Sequence, residues 1–152
     1  MKRQVNSRMC FVCGLENPIG LRLVFEEDEE RVWTEFTPRQ EHQGWPGVLH
    51  GGLVCTLLDE VMARAFFFDQ EERWMVTARM EVRYFEPVPL EQPLTLVGGI
   101  TRMGDRMIEA WGEIRLSDGS LAAKSKGLYL KAPSEMVETL KEEAKYWRIE
   151  PS

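Results

Sequence analysis

Between Gly51 and Phe68 the chain carries Leu53, Val54, Leu57, Leu58, Val61, Met62, Ala65 and Phe66, which at helical periodicity cover most of a helix's circumference. A helix this apolar has no face to give to water. The rest of the chain must wrap it, and the second half supplies strands to do so. Met75 to Tyr84 alternates Val76, Ala78, Met80, Val82 and Tyr84 against Thr77, Arg79, Glu81 and Arg83, the pattern of a strand buried on one face. Segments 94–103, 107–116 and 121–130 follow as strands, the turns Gly104-Asp105 and Asp118-Gly119 having hairpin chemistry. Upstream, Leu21 to Glu26 and Arg31 to Phe36 read as two strands joined across Asp28-Glu29-Glu30. A last amphipathic helix is expected over 133–148, with Ser134 as N-cap and Met136, Val137, Leu140 and Ala144 on one stripe. The pattern predicts one α+β domain over residues 1–152. A curved antiparallel sheet wraps a long central helix, preceded by an arm at 1–20.

Charge and composition remove several classes of function. The formal net charge of -6 gives no footprint for nucleic acid. The apolar stretch Met9 to Val12 is too short for a signal-peptide core, and no segment is long enough to span a bilayer, so a cytoplasmic protein with no membrane partner is expected. Three cysteines, an odd number, fit reduced thiols rather than a disulfide framework.

The chemistry concentrates at Gly47-Val48-Leu49-His50-Gly51-Gly52, where the central helix opens. A helix N-terminus made of two glycines leaves backbone N–H groups at the positive end of the dipole, with no side chain to keep a carbonyl oxygen away. Further along, Thr56, Asp59, Glu60 and Ala63 fall on the face shared with Gly52. This seam fits either a helix–helix contact or a catalytic carboxylate. From Gly52 to Asp59 is two turns, roughly 10 Å, so one carbonyl cannot touch both ends of the same helix. Two helices paired antiparallel about a twofold axis would bring Asp59 of one chain to Gly51 and Gly52 of the other.

His50-Gly51-Gly52, Asp59 nine residues after His50, and the strand order together resemble a hotdog-fold acyl-CoA thioesterase. The resemblance covers about Leu21 to Lys131. Cys10-Phe11-Val12-Cys13-Gly14 with Asn17-Pro18-Ile19-Gly20-Leu21 is similar to the opening of another branch of that superfamily. The resemblance implies hydrolysis of an acyl-CoA or related thioester by a homodimer or dimer of dimers, with no required cofactor. It places the carbonyl oxygen on the N–H of Gly51 or Gly52, and makes Asp59 nucleophile or base; Glu60, one residue round the helix, is the understudy by position. The chain departs from many members in having Gly44 where they carry Asn, six residues before the histidine.

Other candidates have more than one meaning. His50 fixes the turn, lines the pocket or acts as a base, and the first two are favoured for a histidine just before a helix. His42, Gln43, Trp45 and Thr56 are candidate substrate contacts, with His42 a possible replacement for the missing Asn. Arg102 and Arg106, with Lys124 and Lys126, are candidates for the nucleotide phosphates of coenzyme A. Cys10 and Cys13 have zinc-knuckle spacing but no second ligand pair in the sequence, so packed thiols and no metal are expected. Cys55 is expected in the core, and Phe66, Phe67, Phe68, Trp45 and Met75 are candidates for an acyl pocket. Two rivals remain open: a non-catalytic acyl-CoA-binding module, and an enoyl-thioester hydratase using a His and Asp pair.

Overall fold

In the computed structural model, which describes residues 1–67 and 73–151, the central helix forms where its apolar run predicts. The elements in chain order are β1 (Lys2–Arg3), β2 (Glu26–Glu27), β3 (Val32–Phe36), a 3-10 turn (Gln40–His42), α1 (Gly51–Arg64), β4 (Met75–Tyr84), β5 (Leu94–Met103), β6 (Met107–Arg115), β7 (Leu121–Lys131) and α2 (Ser134–Ala144). The strands make one antiparallel sheet in the order β1-β2-β3-β5-β6-β7-β4. The long connection through α1 thus delivers β4 to the far edge. This is the α+β architecture of a sheet wrapped on a helix.

Alternation decides what α1 meets. Ile108, Ala110 and Ile114 of β6 and Ala123, Ser125 and Tyr129 of β7 are buried toward the helix, against Val54, Leu57, Leu58, Val61 and Met62. Each such aliphatic side chain taken fully out of water contributes about 1.5–3 kcal/mol. The opposite face of α1 stays open, with Gly51 and Gly52 exposed and Cys55, Thr56 and Asp59 partly so. No helix among the described residues is long and apolar enough to cross a membrane.

Three expectations are corrected. Residues 21–25 form no ladder strand, because the Leu21 and Leu23 N–H groups donate instead to the Phe11 and Val12 carbonyls of the arm, and Arg22 sits at φ 54°, off the extended region. The arm is consequently knit into the fold rather than loose. The helix expected to run to Phe68 ends at Arg64, where the Ala65, Phe66 and Phe67 N–H groups bond only three residues back. Phe68 itself lies outside the described residues. Finally, α2 stops at Ala144, and Pro133 is its N-cap, so Ser134 is already helical and makes no side-chain cap. Beyond it the chain turns back, pairing Asn6 with Arg148 and seating Trp147 on Trp74 and Phe67 at ring separations of 5.6 and 5.0 Å.

Candidate active site

The N-terminus of α1 is capped by His50, whose Nδ1 accepts the Gly52 N–H at 2.8 Å while its carbonyl accepts those of Leu53 and Val54 at 2.9 and 3.1 Å. Only the Gly51 N–H is left without an acceptor among the described residues. Of the two glycines, Gly51 therefore holds the unspent donor, and Gly52 does not. An imidazole nitrogen that accepts has no proton, so neutral His50 carries its proton on Nε2 and holds the turn rather than offering Nδ1 as a base.

The preceding loop is held by its own polar groups. His42 is 8% exposed, its Nδ1 accepts the Arg39 N–H at 2.9 Å, its ring packs on Phe36, and its carbonyl accepts the His50 N–H. Burial keeps its pKa below the ordinary histidine value. The Gln43 side-chain oxygen accepts the Gly47 N–H at 3.2 Å, and Trp45 is 81% exposed at the loop tip. His42 and Gln43 thus position the turn, and the structure does not bring their side chains to Asp59. A Cβ at Gly44 would lie 3.1 Å from the His50 Cα, so the loop passes too close to the cap for a side chain to fit easily.

Two hydroxyl groups that the sequence reading missed define the surroundings of Asp59. Thr77 of β4 and Tyr129 of β7 each donate to Oδ1 at 2.9 Å, and Tyr129 also reaches the Asp59 carbonyl at 3.1 Å. Oδ2 has no partner among the described residues. Burial, followed by the Asp59 charge, holds the Tyr129 phenol above its ordinary range, so it remains a donor. Thr77 arrives by a β-bulge: the register runs Thr77 to Tyr129 and then Arg79 to Leu128, leaving Ala78 extra. The bulge turns Thr77 onto the helix side.

Toward the helix N-terminus, the Tyr84 hydroxyl donates to the Gly51 carbonyl at 2.7 Å and lies 3.1 Å from the Cys55 sulfur. Cys55 is therefore half-buried on the open face, not in the core as expected. The Thr56 hydroxyl donates to the Gly52 carbonyl at 2.9 Å, which spends its proton within the helix.

Glu60 points elsewhere. Its carboxylate sits 3.5 Å from the Arg64 Nε and 3.9–4.0 Å from the Cys10 sulfur, under the arm, so the fold does not bring it to the Asp59 side. Burial first of all pushes its pKa up to about 7. Cys10, Cys13 and Glu60 place one sulfur or oxygen atom each within 4.8 Å of one another, a third potential ligand that sequence spacing did not reveal. Arg102 pairs across from Glu109, on the sheet face away from α1, and Arg106 lies in the β5–β6 turn, where its carbonyl accepts the Lys131 N–H at 3.2 Å. Within one chain, Arg102 is separated from Asp59 by the sheet.

The family described as the Thioesterase superfamily matches residues 46–123. A cattle (Bos taurus) acyl-coenzyme A thioesterase, THEM4, is 23% identical over 141 residues, covering 91% of this chain and 57% of that one. The crystal structure of the thioesterase superfamily protein RHA08564 superposes with a TM-score of 0.74 at 34% identity, over 81% of this chain and 63% of that chain. This chain thus spans between half and two thirds of the length of both. A hypothetical thioesterase from Streptococcus pneumoniae, solved with coenzyme A, shares the fold with a TM-score of 0.63 at 18% identity, over 71% of this chain and 84% of that one.

Proposed function

Because the chain belongs to the thioesterase superfamily, we propose that it hydrolyses an acyl-CoA or related acyl thioester to the free acid and thiol. The observation that carries this reading is the Asp59 carboxylate, pinned through Oδ1 by Thr77 and Tyr129 while Oδ2 stays free. A carboxylate oriented by two donors and open on one oxygen is set up to take a proton from water. The Gly51 N–H, at the positive end of α1, supplies the complementary half.

The reaction runs as a water addition followed by loss of thiol. The Gly51 N–H donates to the thioester oxygen as charge develops there, and Asp59 takes a proton from the attacking water. The tetrahedral intermediate then expels the sulfur, which leaves as thiol with the proton that Asp59 held. Since Gly51 and Asp59 lie about two turns apart on one helix, the two halves come from different subunits of a homodimer, joined across the open face of α1. Coenzyme A as the thiol is supported by the coenzyme-bound Streptococcus pneumoniae neighbour. The hydratase alternative loses support because the His50 Nδ1 is engaged by the Gly52 N–H. Thiol release from acyl-CoA thioesters of varied chain length and aromaticity tests the proposal. A correctly folded dimer that releases thiol from none of them contradicts it.

A further inference from the structure

We propose that Cys10, Cys13 and Glu60 bind one zinc ion per chain, clamping the arm onto α1. This site stands apart from the proposed hydrolysis and does not depend on it. The two thiols come from one Cys-x-x-Cys-Gly turn, and the carboxylate from a helix 47 residues further along the chain, so their convergence is made by the fold. That turn can close only with glycine: a Cβ on Gly14 would lie 2.4 Å from the Cys10 carbonyl oxygen, and the Gly14 N–H bonds that same oxygen at 2.7 Å. The Ser7 hydroxyl oxygen accepts the Cys10 N–H at 3.1 Å, which holds the start of the turn in place. The Ser7 hydroxyl adds a contact to Cys13 at 3.4 Å.

The geometry is close to that of a bound ion. Tetrahedral zinc, with Zn–S near 2.3 Å and Zn–O near 2.1 Å, sets its ligand atoms roughly 3.5–3.8 Å apart. Cys10 and Glu60 are already 3.9–4.0 Å apart, and all three ligand atoms lie within 4.8 Å, so small side-chain rotations complete the set. Two thiolates favour zinc over calcium or magnesium, which take oxygen ligands. Charge also balances. Three anionic ligands are matched by a divalent ion together with Arg64, which is 5% exposed and anchored by Gln4 and the Val5 carbonyl at 3.3 and 2.6 Å. Cys13 is buried while Cys10 and Glu60 are partly open, so water fills the fourth position. Binding releases the thiol protons to solvent.

Elemental analysis of the full chain, purified without chelator from zinc-supplemented medium, should find close to one zinc per chain. Cobalt added to metal-stripped protein should give thiolate-to-cobalt charge-transfer absorption and tetrahedral d–d bands that saturate at one equivalent. Cys10→Ser and Glu60→Gln, each shown to be folded by its thermal transition, should lower the zinc content about tenfold or more. The cobalt spectrum of the unmutated chain decides the matter even if the variants fail to fold. Absence of both zinc and a cobalt–thiolate spectrum overturns the site, as does a Cys10–Cys13 disulfide in the fresh protein. About half a zinc per chain overturns it in favour of four cysteines across a twofold. Zinc retained by both folded variants shows that the ion sits elsewhere.

Discussion

The Tyr129 hydroxyl bonds the carbonyl and the carboxylate of the same residue, Asp59, at 3.1 and 2.9 Å, and so ties the orientation of the acid to the backbone of α1. Thr77 completes the arrangement from the neighbouring strand. If this pair aims Oδ2 at water, Tyr129→Phe should lower kcat about tenfold while KM changes little, with a stability loss of about 1 kcal/mol. Thr77→Val should act in the same direction and Thr77→Ser should restore activity. Steady-state kinetics checks both, and an unchanged kcat in Tyr129→Phe and Thr77→Val would show that the hydroxyls only pack.

His50 separates a capping role from a basic one. Asn is a good N-cap, so His50→Asn should keep most of the activity, whereas His50→Ala should cost about 1 kcal/mol of stability. Thermal unfolding and turnover measured side by side check this. Loss of activity in a folded, stable His50→Asn variant would return His50 to the chemistry.

His42 gives the protein a pH dependence of known sign. Its folded pKa lies below the unfolded value because burial disfavours the charged ring, and its Nδ1 must stay unprotonated to accept the Arg39 N–H. Its contribution is therefore present above the unfolded pKa, near 6.5, and is lost as pH falls through the folded value. The melting temperature should drop on acidification below that point, and His42→Gln should flatten this part of the profile. An identical acid limb in the variant would contradict the assignment.

The shared site predicts complementation. Asp59→Asn chains still offer a Gly51 N–H, and Gly51→Leu chains still offer Asp59, so mixing the two inactive proteins should restore about a quarter of the activity once subunits exchange. Size-exclusion and exchange measurements supply the control. Exchange without recovery would mean that each chain carries a complete site.

How far the sequence reached depended on the range of the interaction. The central helix and β4 to β7 were legible because their periodicity runs over nine residues or more, and Asp59 stood out as a carboxylate in an apolar run. Thr77 was assigned to the outer face because the one-residue bulge at Ala78 shifts the alternation, and no propensity marks that shift. Tyr129 left a signal that went unused: it is a large polar side chain in line with the small Ala123, Ser125 and Gly127 on the buried face of β7. The convergence of Cys10 and Cys13 on Glu60 was invisible to spacing, since it depends on how the arm lies against α1. The strand that hydrophobicity favoured over 21–25 was likewise lost to long-range bonds, the Leu21 and Leu23 N–H groups going to the arm, and to the positive φ of Arg22.

The central claim is that Asp59 takes the proton of the attacking water, and the most direct measurement is kcat of Asp59→Asn on the best thioester of the panel. Asparagine keeps the shape and can still accept from Thr77 and Tyr129 through its oxygen, while the base is gone. The account predicts a fall in kcat of roughly 10² to 10⁴, with KM, dimer mass and melting temperature little changed. Turnover at the level of the unmutated protein in a folded Asp59→Asn dimer would contradict it.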